Sequence, residues 1–310
     1  MTLAPATLAR AYFGLQAGLG AAWWAAVYAS DDVRTATLGG IEPNLLVVPD
    51  LVLFVGASAV AALRGGRMPA AVVAGWSTLV TAGLLVYGLL EEAAGAGIVL
   101  MVVATGCTWI AASLLWWGRV PLGWFFVGPF AFHEADDASP AHHLRRSLLQ
   151  LVVFWTTFFV GVPAVLVSVE RRLGLTLEGL ASPSWQVVGL VGLALGSALG
   201  LWSCVSMALV GRGTPLPAAT ARALVVVGPY RHVRNPMAVA GGIQTASVGL
   251  LVGSWSVVVI ALAGAVVWDV AIRPTEEADL ADRFGVPYER YRGEVRCWVP
   301  TRGRTGSYPA

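Results

Sequence analysis

Lysine is absent: every one of the 20 basic residues in this 310-residue chain is arginine. Arginine presents a planar fork suited to phosphate and carboxylate. Charge of either sign is scarce too. Only 12% of residues are charged, against roughly 25% in ordinary soluble domains. With 20 basic and 18 acidic side chains the formal net charge is +2, which argues against a nucleic-acid partner. Cysteine is limited to Cys107 and Cys204, in apolar segments, and Cys297 near the C-terminus. No CxxC pair is present, so neither a disulfide framework nor a metal site is expected. No G-x-G-x-x-G follows a strand-like segment, which argues against a Rossmann domain.

What the chain has in abundance is apolar surface. Hydrophobic residues make up 57% and the mean hydropathy is +0.71. Apolar segments recur at roughly 11–29, 45–63, 69–90, 97–117, 148–168, 185–210 and 237–272. Each is near the length that crosses ~30 Å of hydrocarbon. The last is long enough for two helices, with Gly253 and Ser254 as the hairpin tip. An all-α integral membrane protein of about eight spans is expected. Arg10 is the one basic residue before the first span, a weak n-region that favours an uncleaved helix over a signal peptide.

Loop charge gives an orientation. Arg10, Arg64, Arg67, Arg119, Arg145, Arg146, Arg212, Arg222, Arg231 and Arg234 fall on one side. Opposite them stand Asp31, Asp32, Glu42, Asp50, Glu91 and Glu92, with Arg34, while Arg171 and Arg172 break the pattern. The positive-inside rule then expects both termini in the cytoplasm, as in a bacterial plasma membrane protein.

Three regions are expected. Residues 1–120 read as a four-helix transmembrane accessory bundle, 121–147 as a polar cytoplasmic connector, and 148–310 as the domain that carries chemistry. Small residues at GLGAA (18–22) and AGAG (94–97) permit close helix contact in the bundle, for gating of lipid access or for a homodimer. VGPF at 127–130 echoes VGPY at 227–230 without making a repeat. His232 and the pair His142 and His143 read as interfacial polar residues.

The polar interest lies in GPYRHVRNPMAVAGG, residues 228–242, and in the tail RPTEEADLADRFGVPYERYRGEVRCWVP, residues 273–300. Asn235 followed by Pro236 is a helix start, with Asn as N-cap and Pro at the first position. Leu280 and Phe284 share a face, Gly285 stops that helix and Pro287 opens the next. Tyr288, Tyr291, Val295 and Trp298 continue the stripe, giving a cytoplasmic helical hairpin packed on the membrane face. Glu276 and Glu277 stand where the last apolar helix leaves the membrane, a costly place for an acid pair without partners.

In order, LVVVGPYRHVRNPM, a two-helix hairpin, then EEADLADRFGVPYERYRGEVRCWVP resembles the isoprenylcysteine carboxyl methyltransferase and phospholipid methyltransferase superfamily. The resemblance covers about residues 211–300 and implies a membrane-embedded enzyme that uses S-adenosylmethionine. It implies a cytoplasmic cofactor site with Arg222, Ala223, Leu224 and Val225 on the adenosine side. Tyr230, Asn235, Pro236, Met237 and Ala238 would complete one wall and Glu276 the other. Glu276 and Arg234 would act in catalysis, and Arg231, Arg273 and Glu277 on the substrate side. Where many members have His before the Pro, this chain has Asn235, which cannot act as a titratable base.

The methyl acceptor stays open among a lipid amine, a lipophilic carboxylate and a thiol. Two other functions compete: a membrane NADPH-dependent sterol or enone reductase, with a similar R-x-x-R-x-P loop, and a non-enzymatic carrier or sensor.

Overall fold

The computed structural model describes residues 4–122, 135, 138–214 and 220–301. Among them every regular element is a helix. Six helices are long and apolar enough to cross a membrane. They are α3 (Pro43–Arg64), α4 (Arg67–Glu91), α5 (Gly95–Trp117), α6 (Pro140–Arg172), α7 (Pro183–Leu209) and α9 (Trp255–Phe284). Between α7 and α9 lies α8, a shorter apolar helix (Pro236–Val252). The protein is an integral membrane protein, and its described residues form no Rossmann sheet. Two helices precede these spans, α1 (Pro5–Ala29) and the short α2 (Asp31–Leu38), and α10 (Val286–Glu294) follows them. Most of the expected connector, and the VGPF echo, lie outside the described residues.

Two compact units divide the chain: residues 1–121 with 169–175, and residues 122–168 with 176–310. In the first, Phe13 of α1, Phe54 and Ala61 of α3, Val73 of α4 and Ala111 and Ala112 of α5 form one buried core. The small residues do allow close approach there: a Cβ on Gly97 would lie 2.0 Å from the Thr37 carbonyl oxygen. Arg172, the exception to the charge pattern, donates to the Leu89 carbonyl and stands 3.7 Å from Glu92. It thus belongs with the acidic loop. Asp50 needs a correction. It is no loop residue but lies inside α3, only 9% exposed.

In the second unit α7 lies tightly on α8. A Cβ added at Gly192 would sit 2.4 Å from Ser247 Oγ, and one at Gly196 would sit 2.8 Å from Gln244 Cγ. Gln244 Nε2 donates to Ser197 Oγ at 3.0 Å across the same contact. Small residues at helical spacing let two backbones approach where lipid offers no hydrophobic drive. The tip between α8 and α9 follows expectation. Gly253 is left-handed at φ +67, and Ser254 caps α9 by accepting from Val257 N–H at 3.3 Å.

Three helices carry π-helical stretches: Leu51–Gly56 in α3, Thr156–Gly161 in α6 and Trp268–Ile272 in α9. Prolines explain two of them. A proline ring collides with the carbonyl four residues back. For Pro163 that is Phe159, and for Pro274 it is Val270, each inside the widened turn. A π turn absorbs the collision without ending the helix.

Candidate active site

The loop before α8 is fixed at both ends. Arg222 and Ala223 N–H groups both donate to the Gly211 carbonyl, at 2.7 and 3.2 Å. Further on, Gly228–Arg231 forms one 3-10 turn opened by Gly228 at φ +58. Only glycine fits that conformation comfortably, and a Cβ there would meet Ser206 Oγ at 2.6 Å. The turn buries Tyr230 beside Ala221, Val225 and Met207. Burial first, and the Glu276 carboxylate second, push the Tyr230 hydroxyl well above the ordinary phenol range.

The turn is also stitched to the tail. Tyr291 O–H donates to the Tyr230 carbonyl at 2.7 Å. Arg234 N–H donates to the Arg296 carbonyl at 3.0 Å, and Thr301 N–H to the His232 carbonyl at 2.8 Å. Leu224 and Val226 pack on buried Tyr288, Tyr291 and Val295, together with Leu280 and Phe284 from the end of α9. The aromatic stripe expected of the tail therefore clamps the loop. Trp298 leaves that stripe: its indole donates to Asp269 Oδ1 at 2.6 Å and its ring stands edge-on to Trp268.

Asn235 is the pivot. Its Oδ1 accepts from Ala238 N–H at 3.0 Å, capping α8, and its Nδ2 donates to Glu276 Oε2 at 3.2 Å. One amide thereby joins the start of α8 to the end of α9 across the hairpin. Among the described residues Asn235 is the only hydrogen-bond partner of Glu276. The neighbouring acid meets two guanidinium groups through one oxygen. Glu277 Oε1 stands 2.8 Å from Arg234 Nη2 and 3.9 Å from Arg273 Nη1. Arg234 Nη1 donates onward to the carbonyls of Arg292 at 2.7 Å and Val295 at 3.1 Å. Arg273 turns mainly to Asp269, at 2.9 Å. The π turn carries Asp269 and starts one residue before it, so it sets this register.

Residues 185–286 match the phospholipid methyltransferase family model. No curated protein and no solved structure matches the chain. The matched stretch holds the loop, the hairpin and the acid pair, and the match agrees with the motif series read from the sequence. Members of that family generally use S-adenosylmethionine.

Of the residues singled out from sequence, the structure gathers Arg234, Asn235, Glu276, Glu277 and Arg273 into one network. Pro236, Met237 and Ala238 form the first turn of α8 above it. Leu224 and Val225 face the packed side of the loop, whereas Arg222, Ala223 and Arg231 are exposed. His232 binds Thr301, and His143 is buried at 1% exposure. Asp269 was missed, although a lone acid within the final apolar run was its signal.

The donor set suits S-adenosylmethionine. The first turn of a helix points its free N–H groups outward with a positive dipole end, and so receives a carboxylate. Here Pro236 has no N–H and that of Ala238 is taken by Asn235, which leaves that of Met237. Beside it, Glu276 keeps one carboxylate oxygen open for an ammonium or a ribose hydroxyl.

Proposed function

We propose that this protein transfers a methyl group from S-adenosylmethionine to a lipophilic acceptor that enters from the bilayer. The observation that carries the reading is the Asn235–Glu276 hydrogen bond, which closes one polar corner within the stretch that matches a methyltransferase family. When bound, the cofactor supplies an electrophilic methyl on a sulfonium, already a good leaving group. The protein's task is then alignment, exclusion of water and placement of charge.

Each residue has a part in that task. Met237, whose N–H is the one left over in the first turn of α8, receives the cofactor's carboxylate, with Ala238 beside it and capped by Asn235. Glu276 holds its amino group or ribose. Tyr230 anchors the loop through its buried ring. Arg222, Ala223, Leu224 and Val225 form the adenosine side. Arg234 and Glu277 act as positioning residues, because they pair with each other and Arg234 is bound further to the Arg292 and Val295 carbonyls. Arg231, exposed at the loop's edge, is the group in this corner best placed to meet an acidic headgroup or carboxylate. Asn235 cannot take a proton, so an acceptor that must lose one gives it to Glu276 or to water.

The loop charges support a site facing the cytoplasm with both termini on that side, in a bacterial plasma membrane. Residues 1–120 then form an accessory bundle. The acceptor class is named by supplying deuterated methyl donor to membranes with and without the protein and weighing total lipid extracts. A thermal-shift series decides the reaction class. Stabilisation by S-adenosylhomocysteine supports methyl transfer; stabilisation by NADPH alone reverses the reading in favour of a reductase.

A further inference from the structure

The N-terminal unit holds a cavity of about 350 Å³ that methyl transfer does not use, walled by residues of α1 to α5. Its lining is apolar except at a few places. Asp50 is the acid among them, and no basic side chain stands among the described residues that line it. Asp50 lies seven residues into α3, about 10 Å along the axis at 1.5 Å per residue, where the helix passes into its first π stretch. The carboxylate is gripped from two sides. Trp24 Nε1 donates to Oδ2 at 2.8 Å, and Trp76 Nε1 donates to Oδ1 at 2.7 Å.

Two indole N–H groups occupy only part of the lone-pair capacity of a carboxylate. An acid inside a membrane helix is expensive, and such residues ordinarily face a partner or a ligand path. The same wall offers a partner's other needs. Trp23, Trp24 and Trp76 all line the cavity, and indole faces attract cations. Among the described residues Trp23 Nε1 is buried with no hydrogen-bond partner; an ammonium, a donor only, would meet this indole through its face. Leu15, Leu19, Leu100 and Val103 form an outer wall that is itself exposed on the apolar surface of the unit. A molecule dissolved in hydrocarbon would enter by that side.

We propose that this cavity is a binding site for a lipophilic amine, its protonated nitrogen on Asp50 among the indoles and its hydrocarbon chain along the outer wall. The volume lies at the small end of ligand pockets, so a single alkyl chain fits better than a two-chain lipid. Opposite charge is what selects the amine: a neutral or anionic chain would fill the apolar space and leave the carboxylate unmatched. The site is independent of the methyl-transfer reading, because it lies within residues 12–107 and needs no methyl donor.

The test uses the full chain in phosphatidylcholine nanodiscs at neutral pH, titrated with n-decylamine and n-decanol while tryptophan fluorescence is followed. Saturable quenching by decylamine at a concentration at least tenfold below that for decanol is expected. Asp50→Asn should abolish that preference, leave the decanol response unchanged and serve as the blank for partition into lipid. Leu100→Trp, on the exposed wall, should remove the saturable phase for both and carries the test should Asp50→Asn not fold. Equal responses to amine and alcohol would mean a plain hydrocarbon slot and overturn the proposal. So would a preference that survives either substitution, or no saturable response at all.

Discussion

At the scale of single residues, Glu276 and Glu277 are neighbours with opposite fates. Glu277 is spent on Arg234 and Arg273, while Glu276 is tied only through Asn235. Charge-assisted hydrogen bonds contribute roughly 1.5–3 kcal/mol each. Glu276→Ala is therefore expected to weaken S-adenosylhomocysteine binding by about tenfold to a hundredfold in calorimetric titration, with little change in melting temperature. Glu277→Ala should do the reverse, because it strands the Arg234 guanidinium in a largely buried setting. Breaking one side of a buried ion pair costs about 3–5 kcal/mol, so a drop in thermal midpoint of several degrees is expected, with donor affinity in the surviving folded fraction little changed. Arg234→Lys should fail to restore stability, since an ammonium cannot span a carboxylate and two carbonyls as a planar fork does. A midpoint equal to that of the unaltered chain would refute this positioning role.

Among the elements, the helix ends were legible and the helix interiors less so. Asn235–Pro236, Gly253–Ser254 and Gly285 with Pro287 each carry cap chemistry that acts within a few residues, and each marks an observed boundary. The π stretches were not legible. Pro163 and Pro274 have the same local signature whether a helix ends or merely widens, and only packing decides. Asp50 was misplaced for a related reason: a charge in an apolar run reads as the run's edge until the indoles of distant Trp24 and Trp76 are brought to it. In the candidate site the acid pair and the capped loop could be read from order and spacing. The role of Asp269 could not, because Trp298 and Arg273 reach it only after the tail folds back. Pro274→Ala should let an ordinary turn replace the π turn and swing Glu276 relative to Asn235. Loss of S-adenosylhomocysteine affinity with a retained helical circular dichroism signal is the expected result. Gly196→Leu tests the α7–α8 contact. Overpacking costs about 1–3 kcal/mol, and unfolding in denaturant should occur at correspondingly lower concentration.

For the whole molecule, the distribution of arginine makes orientation measurable. Arg231→Cys and Asp32→Cys both place a thiol at an exposed position. In intact cells a membrane-impermeant maleimide should label the Asp32 position at once and the Arg231 position only after permeabilisation. The opposite pattern would put the candidate site outside the cell.

The loop that cradles the proposed site is held by Tyr291, Arg296 and Thr301, all of which follow α9, the last of the described spanning helices. Translation proceeds at about 5–20 residues per second from the other end. Every membrane helix is therefore made before the strap that finishes the corner. A nascent chain can be threaded into the bilayer before this strap exists, and the proposed site is complete only once the tail has folded back onto the loop.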